Sequence, residues 1–222
     1  MIKQSVVLNV VLALVIVVLS IRLVSSSAPA VGHAPATPAD SSAVADADGF
    51  TPFDVTKTFA DNPFSFFTGH GLLLCAGDAQ GANAMTIGWG GLGTLWGSPA
   101  LTVYVRQGRY THQFMERGRY FTVMRFADNE VVDYMGSHSG RDGDKAAALG
   151  LTLAYTKNGA PYYKEASMVI ECRLVAATEL TEATFRDELP RSQYAPSGDD
   201  GGLHTEYIGE VVGAMKKKCC GK

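Results

Sequence analysis

Residues 83–111 read NAMTIGWGGLGTLWGSPALTVYVRQGRYT, and the spacing of their turn formers decides the fold class. Residues 84–89 and 100–106 are short strand-like runs, joined by a glycine-rich segment around which both tryptophans of the chain fall, with Pro99 just before the second run. Working outward, the same signal recurs at residues 72–76 and 120–125, again bounded by Gly, Asp and Asn. Short strands at this regular spacing argue for an antiparallel barrel rather than a parallel α/β sheet. Further strands are expected at residues 153–155, 166–177 and 205–212, and helices at 110–117, 129–135, 142–149 and near 182–188. Residues 194–202, rich in Pro, Ser, Gly and Asp, read as a loop that delivers the chain to His204. The phenylalanine-rich segment 51–67 is expected to cross one end of the barrel.

Gly88, Gly90 and Gly93 satisfy a G-x-G-x-x-G pattern, but that pattern holds a dinucleotide only when a helix follows the turn at once. Here Thr-Leu-Trp-Gly-Ser-Pro follows, so the glycines read as a tight loop between barrel strands. No G-x-S-x-G elbow is present, and the Cys and His spacings suit no zinc site.

The chain has 222 residues and a formal charge of −3. Its only charged residues before position 31 are Lys3 and Arg22, so the remainder is more acidic still, which argues against nucleic acid as a partner. Residues 1–30 carry the run VVLNVVLALVIVVLS and read as a signal peptide or membrane anchor. Residues 31–49, rich in Ala, Ser, Pro and Asp, read as a disordered linker that cannot bury enough surface to offset its chain entropy. The folded domain is then 50–215, ahead of a basic tail, 216–222, holding Cys219 and Cys220. Cys75 and Cys172 sit in apolar runs and read as small buried hydrophobes.

Two segments could converge donors on a phosphate. One holds Arg106, Arg109, Tyr110 and Thr111; the other, 137–145, holds Ser137, Ser139, Arg141 and Lys145. Each also reads as a solvated loop. Trp89 and Trp96 could be core or could wall a cofactor. Of the five histidines, His204, between a Gly-Gly loop and a strand, is the best placed to sit at a cleft, with a structural role as the alternative.

Four motifs, in order, resemble the flavoredoxin-like branch of the flavin reductase family: residues 83–123, then YMGSHSGRDGDKAAALGLT, EASMVIECRLVA and HTEYIGEVV. The resemblance spans residues 62–215 and implies a mainly β fold, a six-stranded antiparallel split barrel with a few short helices. It also implies a homodimer with FMN near the subunit interface. Asn83 and Thr86 would hydrogen-bond the flavin edge, aided by backbone around Met85 and Ile87, with Trp89 close to the rings. Arg109, Tyr110 and Thr111 would meet the phosphate, with Ser139, Arg141 and Lys145 closing over it. His204 would sit near the reactive face.

The activity this implies is electron transfer from NAD(P)H through bound FMN to a flavin or other acceptor, a small molecule or a redox protein. The alternatives are a non-catalytic FMN electron carrier and, from another class, a split-barrel module holding a ligand such as haem. A pyridoxamine-phosphate-oxidase-like activity fits the motifs less well. Residues 1–49 point to an exported or membrane-tethered domain, whereas NAD(P)H is found on the cytoplasmic face.

Overall fold

The computed structural model describes residues 49–58, 62–69, 71–188, 192–194 and 202–218, all within the unit Pro35–Lys222. The expected export segment, residues 1–48 of the N-terminal region, and the Cys219–Cys220 tail lie outside the described residues. Among the described residues no helix is long and apolar enough to cross a membrane.

The elements that lie wholly within the described residues follow one another as β1 (Phe50–Pro52), α1 (Val55–Thr58), β2 (Leu72–Asp78), β3 (Gly81–Ile87), β4 (Gly90–Leu95), β5 (Ser98–Arg106), α2 (His112–Arg117), β6 (Tyr120–Arg125), α3 (Asn129–Ser137), α4 (Lys145–Ala148), β7 (Leu153–Tyr155), β8 (Pro161–Tyr163), β9 (Met168–Glu179) and β10 (His204–Lys217). Eight strands form one antiparallel sheet in the order β3-β2-β6-β9-β10-β5-β4, with β1 added to the far end of β10, where six were expected. The two additions that sequence reading missed are β1, expected only to cross the barrel end, and β4. The sheet curls until β3 comes back against β5, which is the barrel.

β4 corrects the expected glycine loop. Gly90, Gly91 and Gly93 lie within a strand paired to β5, and the turn is the two residues Trp96-Gly97. Both have left-handed backbone, Trp96 at φ 51° and Gly97 at φ 77°, the two-residue hairpin geometry whose twist matches paired strands. A 3-10 turn, Glu182–Thr184, opens the span near 182–188 where a helix was expected, and the helix expected from 142 begins only at Lys145, capped by the Asp144 carboxylate, which accepts from the N–H groups of Ala146 and Ala147 at 3.0 Å.

β2 explains the core. Its run LLLCA is apolar at every position because both faces are covered. Leu72, Leu74 and Ala76 face the barrel interior with Leu101, Val103, Val105, Phe121, Val123, Ile170 and Tyr207. Leu73 and Cys75 face outward, under α3 and the β7–β8 hairpin, with Ala84, Met124, Val132, Met135 and Tyr162. Each fully buried leucine contributes about 1.5–3 kcal/mol. Cys75 and Cys172 are buried free thiols, as the sequence suggested.

Candidate functional site

Among the described residues β3 is paired only to β2, and the chain segments after β5 and after α3 approach its other edge. Between them lies a narrow cleft of about 130 Å³ lined by Asn83, Met85 and Thr86 of β3, by Arg106, Arg109, Tyr110 and Thr111, and by residues from the α3–α4 connection including Ser139, Gly140, Arg141 and Lys145. Among the described residues four cations line it and no carboxylate does. In a chain with an acidic balance, that concentration makes a positive focus where an anion is strongly favoured.

Internal bonds fix the walls. The Asn83 amide donates to Thr111 Oγ1 at 2.7 Å and to Ala84 O at 3.2 Å, leaving Oδ1 as an acceptor. The Thr86 hydroxyl donates to Val132 O, which ties β3 to α3. Arg141 crosses from one loop to the other, donating to Gly108 O at 3.1 Å and lying 5.2 Å from the centre of the Tyr110 ring. Gly140 is required where these loops meet, because a Cβ there would run into Asn83 Oδ1 and lie 2.7 Å from Tyr110 Cδ1.

Lys145 is buried, and two of its three N–H groups are taken by Ala84 O and Met135 O, each at 2.9 Å. Met135 is in the last turn of α3, so the ammonium caps an open helix end as well as lining the cleft. Burial, then the neighbouring Arg109, hold its pKa below the ordinary lysine value. One N–H remains for a ligand.

The other expected residues divide. Ile87 is in the barrel core and does not line the cleft. Trp89 and His204 also lie outside it, packed on each other with ring centres 4.8 Å apart. Trp89 lines a separate apolar groove of about 700 Å³ with Phe64, Phe67, Tyr104, Phe185 and Tyr194. The bridge between the two places is Arg106. It stands opposite His204 in the β5–β10 register, lines the cationic cleft, and donates Nε–H to Gly202 O at 2.8 Å. Burial, followed by the fields of Arg106 and Arg109, pushes the His204 pKa down to about 4, so this imidazole is neutral near pH 7.

Sequence reading missed Tyr194 and Gly140 as site residues. Tyr194 gave no signal because it sits at the edge of a polar loop with no periodicity; Gly140 was visible only as one of the small residues flanking Ser139.

A protein-family model described as "Flavin reductase like domain" matches residues 64–219. Among solved structures, a flavoredoxin from Methanosarcina acetivorans shares 25% identity, covering 66% of this chain and 68% of that one with a TM-score of 0.51. The flavoredoxin of Desulfovibrio vulgaris (Miyazaki F) shares 24% identity over 68% and 71% of the two chains, TM-score 0.51. An FMN-binding domain of a flavin reductases-like enzyme from Shewanella baltica OS155 shares 20% identity over 76% and 77%, TM-score 0.52. No curated protein sequence matches the chain. With four ordered motifs carried by a mainly β barrel and a family model matching most of its length, the chain belongs to the flavin reductase like domain family.

Proposed function

We propose that this protein binds FMN and works as an oxidoreductase of the flavin reductase type, passing electrons from NAD(P)H through the flavin to a flavin or other acceptor. The observation that carries the reading is the carboxylate-free cleft with Arg106, Arg109, Arg141 and Lys145 on its walls. That donor set fits a phosphate dianion. The cleft is small beside the ~300–1,000 Å³ of pockets that enclose a whole drug-sized ligand, so it suits the phosphate end of the nucleotide and leaves the rings to lie beyond it.

In this reading Arg109, Tyr110, Thr111, Ser139, Arg141 and Lys145 hold the phosphate. Asn83 and Thr86 offer acceptor oxygens to the flavin edge, with main chain near Met85 and Ile87 beside them on the side of β3 away from β2. Trp89 supports the ring end, and His204 supplies a neutral imidazole near the reacting atoms. Bound FMN would supply the hydride and electron chemistry, while the polypeptide orients the cofactor and stabilises charge. No general acid is needed from the chain for hydride delivery.

A second reading, an electron carrier with bound FMN but no NAD(P)H oxidation, is favoured by the flavoredoxin at 25% identity. Anaerobic mixing of the flavin-loaded protein with NADPH separates the two, since only the reductase bleaches its flavin quickly. Protein that is colourless and fails to bind added FMN would overturn both. A homodimer, and a domain exported or tethered through residues 1–30, complete the proposal; sedimentation and cell fractionation test them.

A further inference from the structure

His204 makes one side-chain hydrogen bond among the described residues: its Nδ1 and the Tyr194 hydroxyl are 2.8 Å apart. Its Nε2 has no protein partner there, and because no buried side-chain nitrogen or oxygen is left unpaired, Nε2 is open to a ligand or to water. Tyr194 is itself held on several sides. Its ring meets Trp89 edge-on at 6.3 Å and Phe185 at 5.5 Å, and the Arg106 guanidinium lies 5.9 Å from the ring centre. A tyrosine fixed this way presents its hydroxyl to one atom.

Either atom of that pair could carry the shared proton. A phenol is a far stronger acid than a neutral imidazole N–H, and an imidazole nitrogen is a far better base than a phenol oxygen, so O–H···N is the stronger arrangement. Burial keeps the Tyr194 phenol protonated, with its pKa raised despite the opposing field of Arg106. The charged groups that act on the ring, Arg106 and Arg109, are both cationic, so neither competes with the phenol as an acceptor for a ring N–H.

We propose that Tyr194 is the positioning residue for His204: its hydroxyl donates to Nδ1, which holds the ring proton on Nε2 and makes the free nitrogen a hydrogen-bond donor. The consequence for turnover rests on the flavin reading, because a neutral Nε2–H beside the cofactor donates to an oxygen or nitrogen that gains negative charge. The tautomer itself does not depend on that reading.

The test is ¹⁵N NMR of histidine-labelled, flavin-free protein at pH 7, with the His204 signals assigned by their loss in His204→Asn. Wild-type protein should show Nε2 protonated and Nδ1 bare. In Tyr194→Phe, which keeps the ring packing on Trp89 and Phe185, the preference for the Nε2–H tautomer should fall by about tenfold, the effect of one hydrogen bond on a two-state ratio. Near-UV circular dichroism matching wild type shows that packing survived. A wild-type ring protonated on Nδ1, or a tautomer ratio unchanged in Tyr194→Phe, overturns the proposal. Because these spectra are taken without flavin, a failure to bind FMN sinks the functional reading and leaves this result standing on its own. In flavin-loaded protein, Tyr194→Phe should slow reduction by NADPH about tenfold with FMN affinity unchanged, whereas a residue that only packs would leave that rate unmoved.

Discussion

Replacing Arg109 with alanine and, separately, Lys145 with methionine should pull apart two jobs that one cleft combines. Arg109 is exposed, and among the described residues its side chain has no carboxylate partner, so its removal should leave the flavin-free fold within about 0.5 kcal/mol of wild type. Its value is to the ligand. A hydrogen bond to a charged group is worth about 1.5–3 kcal/mol, and solvent screening at this exposed position puts it at the lower end, so FMN should bind about tenfold more weakly at low salt. The loss should shrink as salt is added.

Lys145 behaves in the opposite way. Methionine fills similar space but strands Met135 O, leaves Ala84 O with only its 3.2 Å bond from the Asn83 amide, and removes a cation from the end of α3. An unpaired buried acceptor costs about 1–3 kcal/mol, partly offset because a buried charge no longer has to be desolvated. A net loss of about 2 kcal/mol lowers the melting temperature by roughly 4–8 °C in a chain of this size. FMN affinity should fall as well, through the remaining N–H and through loosening of β3. Flavin-quenching titrations at two salt concentrations, with thermal melts of the flavin-free proteins, measure both effects. Unchanged affinity in Arg109→Ala, or an unchanged melt in Lys145→Met, would refute the assignment of roles.

Three more outcomes can be measured. Gly140→Ala places a methyl against Asn83 and Tyr110, so it should weaken FMN binding by tenfold or more and lower stability by about 1–3 kcal/mol, read by titration and melt; a variant that binds normally would show that the two loops need not close this tightly. The His204 pKa of about 4 lies below the ordinary 6.5, so stability from the neutral ring is fully present above pH 6.5 and is lost as pH falls toward 4, where the unfolded chain takes a proton that the folded one refuses. With partial exposure allowed for, that is about 1–2 kcal/mol; His204→Asn should flatten this part of the melting-temperature profile between pH 6.5 and 4.5, and an unchanged slope counts against the shift. Gly209→Ala would set a Cβ 2.5 Å from Phe121 Cζ and 2.6 Å from Cys172 Cβ, and should destabilise by about 1–3 kcal/mol in a urea titration without altering FMN affinity per folded molecule.

Much of the barrel was legible because its strands carry their own boundaries. Residues 101–106 alternate cleanly, and β2, β6 and β10 are framed by turn formers, so their existence was readable even where ends moved by a few residues. β4 was not readable. Its glycines remove the side chains from which a period of two is detected, and it is held as a strand by pairing with β5 alone. β1 is three residues long and exists only because the distant end of β10 offers it a partner. At the site, Arg109, Tyr110, Thr111, Ser139, Arg141 and Lys145 were legible as donors, and the structure gathers them with Asn83 and Thr86. Local sequence did not reveal that Lys145 spends most of its bonding on main chain, that Ile87 faces the core, or that Trp89 and His204 stand together with Tyr194. Those are facts of register: Arg106 opposite His204, and Gly209 in a motif that reads as functional but is required by Phe121 two strands away.

Strand β10 has a consequence for how the domain can be joined to other things. It runs fourteen residues, from His204 to Lys217, and ends beside Phe50, where Lys218 N–H also meets Gly49 O at 3.0 Å. At about 3.3 Å per residue its contour is roughly 40 Å. Entry into the folded domain and exit from it are therefore neighbours, a strand's length from His204. A fusion partner, a surface linkage or an affinity handle attached at either end arrives by the same corner, at the other end of β10 from Arg106 and the cationic cleft, and a short linker between residues 49 and 218 would close the domain into a ring without stretching the sheet.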